Sequence, residues 1–112
     1  MPAHHEIEQT IDEYLSNIEK VGKYSPELSL LRGRGEILAF RDSESGRLWS
    51  ITLGEEGFSV SHHEGHFDAE LVGSPVHLLL AILRRREVDQ GGVSVTGDRA
   101  LVDYWLAHSA FD

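Results

Sequence analysis

The chain has 112 residues, of which 40% are hydrophobic and 26% are charged, a balance typical of a single globular domain rather than a disordered segment. It contains no cysteine, so disulfide bonds, thiolate catalysis and zinc–thiolate sites are excluded. Its formal net charge of −9 disfavours binding to nucleic-acid phosphates and to anionic membrane surfaces.

The sequence also lacks the signals of a membrane or secreted protein. No apolar run approaches the ~20 residues that a bilayer-spanning helix needs. The stretch from Met1 to Glu6 lacks the charged and apolar regions of a secretory signal. A cytoplasmic location is therefore expected.

The first predicted element is an amphipathic helix over residues 3–21. Apolar side chains recur there at helical spacing and form one stripe, which consists of Ile7, Ile11, Leu15, Ile18 and Val21. Gly22 ends this helix, and an irregular connector follows as far as Gly35.

The hydrophobic period then changes from that of a helix to that of a strand. Alternation predicts strands over residues 36–41, 48–53, 58–62 and 67–72, with short polar turns between them. In the second of these, Trp49 and Ile51 alternate with Ser50 and Thr52. Four short strands of this kind predict an antiparallel meander with one buried face.

Helical spacing returns after the fourth strand. Ser74 is a favourable N-cap and Pro75 suits the first helical position, so a helix is predicted over residues 76–86, with three arginines in its last turn. A short strand over residues 93–96 follows, and Asp98 caps a final helix whose apolar face consists of Leu101, Val102, Trp105 and Leu106.

These elements define an α+β fold in the order α-β-β-β-β-α-β-α. One five-stranded, largely antiparallel sheet with helices packed on one face satisfies this order. The sequence contains no linker long enough to separate two domains, so residues 1–112 are predicted to form one domain.

Several segments resemble the C-terminal domain of the mycothiol-dependent maleylpyruvate isomerase family, which is similar to sterol carrier protein type 2. The resemblance is carried by the runs at 11–15, 47–51, 68–75, 78–80 and 93–101, and above all by Gly97, Asp98 and Arg99 ahead of a helix. It implies a sterol-carrier-like fold that holds a lipid or another apolar small molecule between sheet and helices.

The same resemblance implies a second reading. Isomerases of this family place their metal in an N-terminal helical bundle, and residues 1–112 contain no such bundle. The chain is therefore expected to have no independent catalysis and no cofactor of its own. The alternative to a binding module is an accessory domain that completes the active site of a separately encoded, metal-dependent partner enzyme.

The helix over residues 76–83 is apolar almost all round, which favours either a buried core helix or the wall of an apolar cavity. Val76, Leu79, Leu80 and Leu83 are predicted to face the sheet, with the other leucine and isoleucine on the adjoining side. The candidate ligand-binding residues are Phe40, Trp49, Phe58, Leu78, Leu79, Ile82, Leu83, Arg99 and Trp105.

Arg99 conflicts with the helix dipole, because it lies in the first turn of the last helix, where a cation is disfavoured. It can hold a carboxylate or phosphate group there, or it can be a solvated residue that pairs with Asp98 or Asp103. The resemblance implies that an arginine of this domain contributes to the isomerase site, and Arg99 is the candidate match.

His62, His63 and His66, with Glu64 and Asp68 nearby, form the densest set of potential metal ligands. No closed spacing motif links them, so a polar hairpin tip is the competing interpretation.

No catalytic pair or nucleophile motif is visible, and His77 is expected to be a hydrogen-bonded core histidine. The sequence thus predicts a small-molecule or lipid-binding module. It leaves monomer and homodimer open.

Overall fold

The computed structural model describes residues 4–21, 31–84 and 91–109. Their helices and strands follow the predicted order and are α1 (His4–Val21), β1 (Glu36–Asp42), β2 (Leu48–Gly54), β3 (Gly57–Ser61), β4 (Ala69–Gly73), α2 (Pro75–Ile82), β5 (Val93–Gly97) and α3 (Arg99–His108). Within these residues, no helix is both long enough and apolar enough to cross a lipid bilayer.

The five strands form one mixed sheet in the order β3-β2-β1-β4-β5. Three of the four pairings are antiparallel, as predicted, but β4 pairs with β1 in parallel. The predicted four-strand meander is therefore wrong at its last strand. Pairing with β4 makes β1 the central strand, where Leu38, Ala39 and Phe40 are buried. Alternation identifies a strand but carries no information about its partner, so this crossover was not predicted.

The strand register places the apolar side chains on one face of the sheet. Leu38 and Phe40 of β1 lie opposite Ile51 and Trp49 of β2, and Leu71 of β4 continues the row. The buried residues of this face form one core with those of all three helices. The opposite face carries Ser50, Thr52, Ser59, Ser61, Ser94 and Thr96. Helices on one face, as predicted from the sequence, are confirmed.

Helix α1 packs through the predicted stripe. Ile11, Leu15 and Ile18 are fully buried in the core. On the flank of the helix, the Glu19 carboxylate accepts a hydrogen bond from the backbone N–H of Val60, with 2.7 Å between the two atoms. Because this N–H belongs to the edge strand β3, α1 both covers the core and protects that edge from pairing with other chains.

Helix α2 is shorter than predicted. It ends at Ile82, because Arg84 adopts the left-handed conformation with φ of +58° and donates its N–H to the Ala81 carbonyl at 3.0 Å. Arg84 therefore does not belong to the last turn of the helix, where it was predicted. Arg84 lies beyond the helix, and residues 85 and 86 lie outside the described residues.

The buried side of α2 also differs from the prediction. Leu78, Ala81 and Ile82 are buried in the core, whereas Val76, predicted to face the sheet, is 40% exposed. Leu79 is half-buried and packs on the core. The side of α2 that carries Leu78, Ala81 and Ile82 is therefore the one that packs inward.

Candidate functional site

Four aromatic side chains lie together on the buried face of the sheet. They are Phe40 of β1, Trp49 of β2, Phe58 of β3 and Trp105 of α3, here called the aromatic cluster. The Trp105 ring contacts Phe58 edge-on at 5.3 Å between centroids and Phe40 at 6.5 Å. Phe40 and Trp49 are opposite each other across the β1–β2 ladder. Four of the predicted ligand-binding residues are thus neighbours.

The aliphatic residues predicted to line the same site come from α2. Leu78 and Ile82 are fully buried and share one core with the aromatic cluster. Leu79 is partly buried against that core, and Leu83 is half-buried at the helix C-cap. Helix α2 packs against β1 and β4, so its apolar side and the aromatic cluster enclose the same interior. Contact of these residues with a ligand stays a prediction.

The aromatic cluster contains two polar atoms that have no hydrogen-bond partner among the described residues. Both Trp49 and Trp105 are 0% exposed, and their Nε1 atoms have no hydrogen-bond acceptor among the described residues. A buried indole N–H normally finds an acceptor, and leaving such a donor unpaired costs about 1–3 kcal/mol. Two inward-facing tryptophans in the sequence signalled two buried donors, but sequence reasoning treated them only as apolar walls.

Trp49 lies where the core meets the surface. The Arg47 guanidinium is 5.2 Å from the centroid of the Trp49 ring, and the His62 ring contacts it edge-on at 6.5 Å. Both basic groups face acids of α1: Arg47 lies 3.6 Å from Asp12 and 3.9 Å from Glu8, and His62 Nε2 lies 3.3 Å from Asp12. The positive charge of Arg47 beside the aromatic cluster is therefore already balanced by these acids.

The predicted histidine cluster does not assemble. His62 Nδ1 lies 2.9 Å from the Leu48 carbonyl, whereas His66 lies 3.5 Å from Asp68, and His63 is exposed. Across the part of the chain that the structure describes, no three histidine or acidic side chains are grouped so that they could hold a metal ion. The hairpin tip is thus polar, and its histidines have separate contacts.

Glu64, the acid placed nearest these histidines by sequence, pairs with an arginine instead. Its carboxylate lies 2.6 Å from the Arg41 guanidinium, which also lies 2.7 Å from Glu70 on β4. The hydrogen bond from Arg41 holds the pKa of the Glu64 carboxyl below its usual value. This group therefore connects the hairpin to the open face of the sheet rather than to a metal site.

Arg99 is the first residue of α3, and its side chain is 41% exposed. Its Nε lies 3.0 Å from the Asp103 carboxylate one turn later, and Asp98 caps the helix by accepting from the N–H groups of Ala100 and Leu101. The pairing with Asp103 matches the competing interpretation made from the sequence. A role of Arg99 in ligand binding stays a prediction.

His77 forms the hydrogen bond expected of it, but it is half-buried rather than part of the core. Its Nδ1 lies 2.7 Å from Ser74 Oγ, and the same hydroxyl oxygen accepts from the His77 backbone N–H as the N-cap of α2. The Ser74 hydroxyl is thus engaged in capping the helix, which is a structural role. This serine–histidine contact does not form part of the aromatic cluster.

Solved structures with the same fold include sterol-carrier-like proteins. The ubiquinone synthesis protein UbiJ-SCP2 aligns with a TM-score of 0.71 and 19% identity, over 90% of this chain and 93% of that chain. The palmitated sterol carrier protein 2-like 2 of Aedes aegypti aligns with a TM-score of 0.59 and 16% identity, over 90% and 91% of the two chains. The chain therefore has a sterol-carrier-like fold.

A third similar structure is an enzyme. The sec-alkylsulfatase Pisa1 of a Pseudomonas species aligns with a TM-score of 0.60 and 14% identity over 76% of this chain, but over only 16% of that chain. No family model and no curated protein matches the sequence, so the relationship to maleylpyruvate isomerases stays a prediction.

Proposed function

We propose that this chain is a lipid- or small-molecule-binding module that holds an apolar ligand between the sheet and α2. The observation that carries the proposal is the aromatic cluster, which packs with Leu78 and Ile82 and contains two donors without an acceptor in the described part of the chain. Ligand sites are mostly apolar, with a few placed polar groups that orient the ligand, and this interior has that composition. The palmitated state of one protein with the same fold supports a lipid as the occupant.

The composition of the site favours binding over chemistry. Among the described residues, the buried polar or charged side chains are Glu8, Asp42, Ser50 and Ser109. The first two meet at the turn after β1, where Ser45 donates a hydrogen bond to Glu8 and the Ser45 backbone donates to Asp42. General acid–base and nucleophilic catalysis need a polar or charged side chain at the reacting atoms. We therefore propose that the site binds its ligand without changing it chemically.

Native mass spectrometry of gently purified protein tests this proposal. We expect either a co-purified apolar molecule or uptake of fatty acyl and sterol probes at one molecule per chain. An apo mass that no probe changes would contradict the proposal.

A pair of variants locates the site. Ala81→Leu adds volume on the buried side of α2 and should weaken probe uptake, whereas Val76→Leu adds volume on the exposed side and should not. Thermal unfolding of both variants separates a blocked site from a damaged fold. Equal uptake by two folded variants would place the ligand away from α2.

The accessory role that the resemblance implies is tested separately. Arg99 is its candidate contact with a partner enzyme. Co-purification with a helical-bundle protein encoded beside this chain, weakened by Arg99→Ala, is the expected result of that role. Failure of the two proteins to associate would contradict the accessory role.

A further inference from the structure

We infer that the ligand carries an uncharged hydrogen-bond acceptor, which the buried indole N–H groups of Trp49 and Trp105 bind. This inference rests on the proposed function and specifies the chemical class of its ligand. Both indoles are fully buried, and both Nε1 atoms lack an acceptor among the described residues. The native fold keeps two donors in an apolar interior, so an acceptor that is brought in with the ligand gives each of them its missing partner.

The two donors belong to indoles that lie beside one side chain, Phe40 of β1. Trp105 contacts Phe40 and Phe58 through its ring, and Trp49 lies opposite Phe40 in the ladder. Both indoles therefore border the same central side chain of β1. A ligand that occupies this part of the interior is adjacent to both.

The absence of a buried counter-charge indicates that the acceptor is uncharged. Among the described residues, no lysine or arginine is buried. The basic groups beside Trp49 are Arg47 and His62, and both face acids of α1. A carboxylate drawn into this interior would lose its hydration without gaining an ion pair, which is costly, and the net charge of −9 also opposes its approach.

The aliphatic side chains around the aromatic cluster indicate the chemistry of the apolar part of the ligand. Leu71 and Leu78 lie in the same core as the aromatic cluster and present only aliphatic surface. The ligand class is therefore a molecule with an aliphatic chain and a carbonyl, ester or ether oxygen. An indole N–H is a donor only, so a ligand whose polar group can only donate does not fit.

The test uses three probes of nearly equal size on the intact chain. In 2-decanone a carbonyl oxygen is available, in 2-methyl-1-decene a methylene group replaces that oxygen, and decanoate carries a charge. We expect the ketone to bind more tightly than the alkene by roughly 2- to 12-fold for each indole engaged. We expect decanoate to bind more weakly than the ketone at a pH where it is ionised.

Nuclear magnetic resonance reports the hydrogen bonds directly. The chain has two tryptophans, so the ¹H–¹⁵N spectrum contains two indole signals. We expect the ketone to shift at least one indole proton downfield and the alkene to cause no such shift. Indole protons that are already far downfield and protected from exchange before any probe is added would overturn the inference, because an acceptor would then lie within the chain.

Variants identify which donor acts. Trp49→Phe and Trp105→Phe each remove an N–H but keep an aromatic ring. We expect the preference for ketone over alkene to shrink in at least one variant while alkene binding is kept. If a variant does not fold, the comparison of ketone and alkene binding to the unaltered chain still tests the inference.

The remaining outcomes separate the inference from the proposed function. Equal affinity for ketone and alkene in the unaltered chain overturns the inference and leaves the binding function standing. Tighter binding of decanoate than of 2-decanone also overturns it, because the acceptor would then be charged. Binding of none of the three probes, together with no uptake of acyl or sterol probes, overturns the proposed function itself.

Discussion

Gly92 shows how a single residue is fixed by both its backbone and its neighbour. It adopts the left-handed conformation with φ of +89°, and a Cβ atom at this position would overlap the ring of His77. His77 in turn is held by Ser74 at the start of α2. The beginning of β5 and the beginning of α2 are therefore in contact through a position that only glycine fits.

We predict that Gly92→Ala destabilises the chain by about 2–3 kcal/mol, because it combines a left-handed Cβ with a steric clash. Gly91→Ala is the matched control, since Gly91 has φ of +94° but a Cβ atom at this position would meet no other atom within 4 Å. The Gly91→Ala variant should lose about 1 kcal/mol of unfolding free energy, because only the left-handed backbone conformation opposes its Cβ atom. Urea denaturation measures both. Equal losses in the two variants would show that contact with His77 does not matter.

Asp42 is a second residue whose environment gives a definite expectation. Burial opposes its ionisation, but the side-chain interaction with Glu8 and the hydrogen bonds from the Glu44 N–H at 2.8 Å and the Ser45 N–H outweigh burial and hold the pKa of Asp42 below its usual value. Because the folded pKa is the lower one, the unfolded chain binds more protons in acid. The stabilisation is therefore present above about pH 4 and is lost as the pH falls further.

We predict that Asp42→Asn lowers the free energy of unfolding by about 1–2 kcal/mol at pH 7, since two backbone N–H groups lose a charged acceptor. The difference between the unaltered chain and the variant should shrink as the pH falls below about 4. Chemical denaturation across a pH series measures this difference. A difference that stays constant down to about pH 2 would contradict the ionised state of Asp42.

At the scale of elements, the sequence predicted where the second and third helices begin but not where the second one ends. Ser74 and Asp98 are side chains with a capping function, and both cap as predicted. Helix α2 ends in the left-handed conformation at Arg84, where glycine is the usual residue, so no composition signal marked this position. Because apolar residues lie on all sides of this helix, the sequence pattern also does not indicate which side is buried.

The end of α2 therefore offers a prediction. Arg84→Gly should raise the free energy of unfolding by about 0.5–1 kcal/mol, because glycine adopts a φ of +58° without the Cβ clash that arginine carries. Arg84→Ala removes the same charge but keeps the clash, so it should change stability little. Thermal unfolding of both variants distinguishes them. A gain shared by glycine and alanine would indicate a charge effect instead.

At the scale of the whole molecule, the strand and helix periodicities of the sequence were enough to predict that members of the aromatic cluster face inward. Trp49 and Phe58 were placed inward from period-2 patterning, and Trp105 from helical spacing, and all three lie on the core. The unpaired indole donors could not be predicted, because satisfaction of a polar atom depends on every neighbour in space. The parallel pairing of β4 with β1 was missed for a related reason: it is a long-range contact that the local pattern does not encode.

One residue fixes that parallel pairing. Asp68, just before β4, accepts a hydrogen bond from the Ile37 N–H through its carboxylate at 2.8 Å and donates its own N–H to the Ile37 carbonyl at 2.8 Å. Its carbonyl also accepts from the Asp98 N–H at the end of β5, at 2.8 Å. Asp68 therefore connects the start of β1 to β4 and β5.

We predict that Asp68→Ala destabilises the chain by about 1–2 kcal/mol, because the half-buried N–H of Ile37 loses its acceptor while the backbone contacts remain. Asp68→Asn keeps an acceptor oxygen and should recover at least half of the loss. Urea denaturation gives the stabilities, and hydrogen exchange at Ile37 gives the local effect. Because this bond lies at the junction between the two halves of the sheet, loss of protection should spread to β4 and β5 before it reaches β2 and β3. Uniform loss across all five strands would mean that the crossover unfolds only with the whole domain.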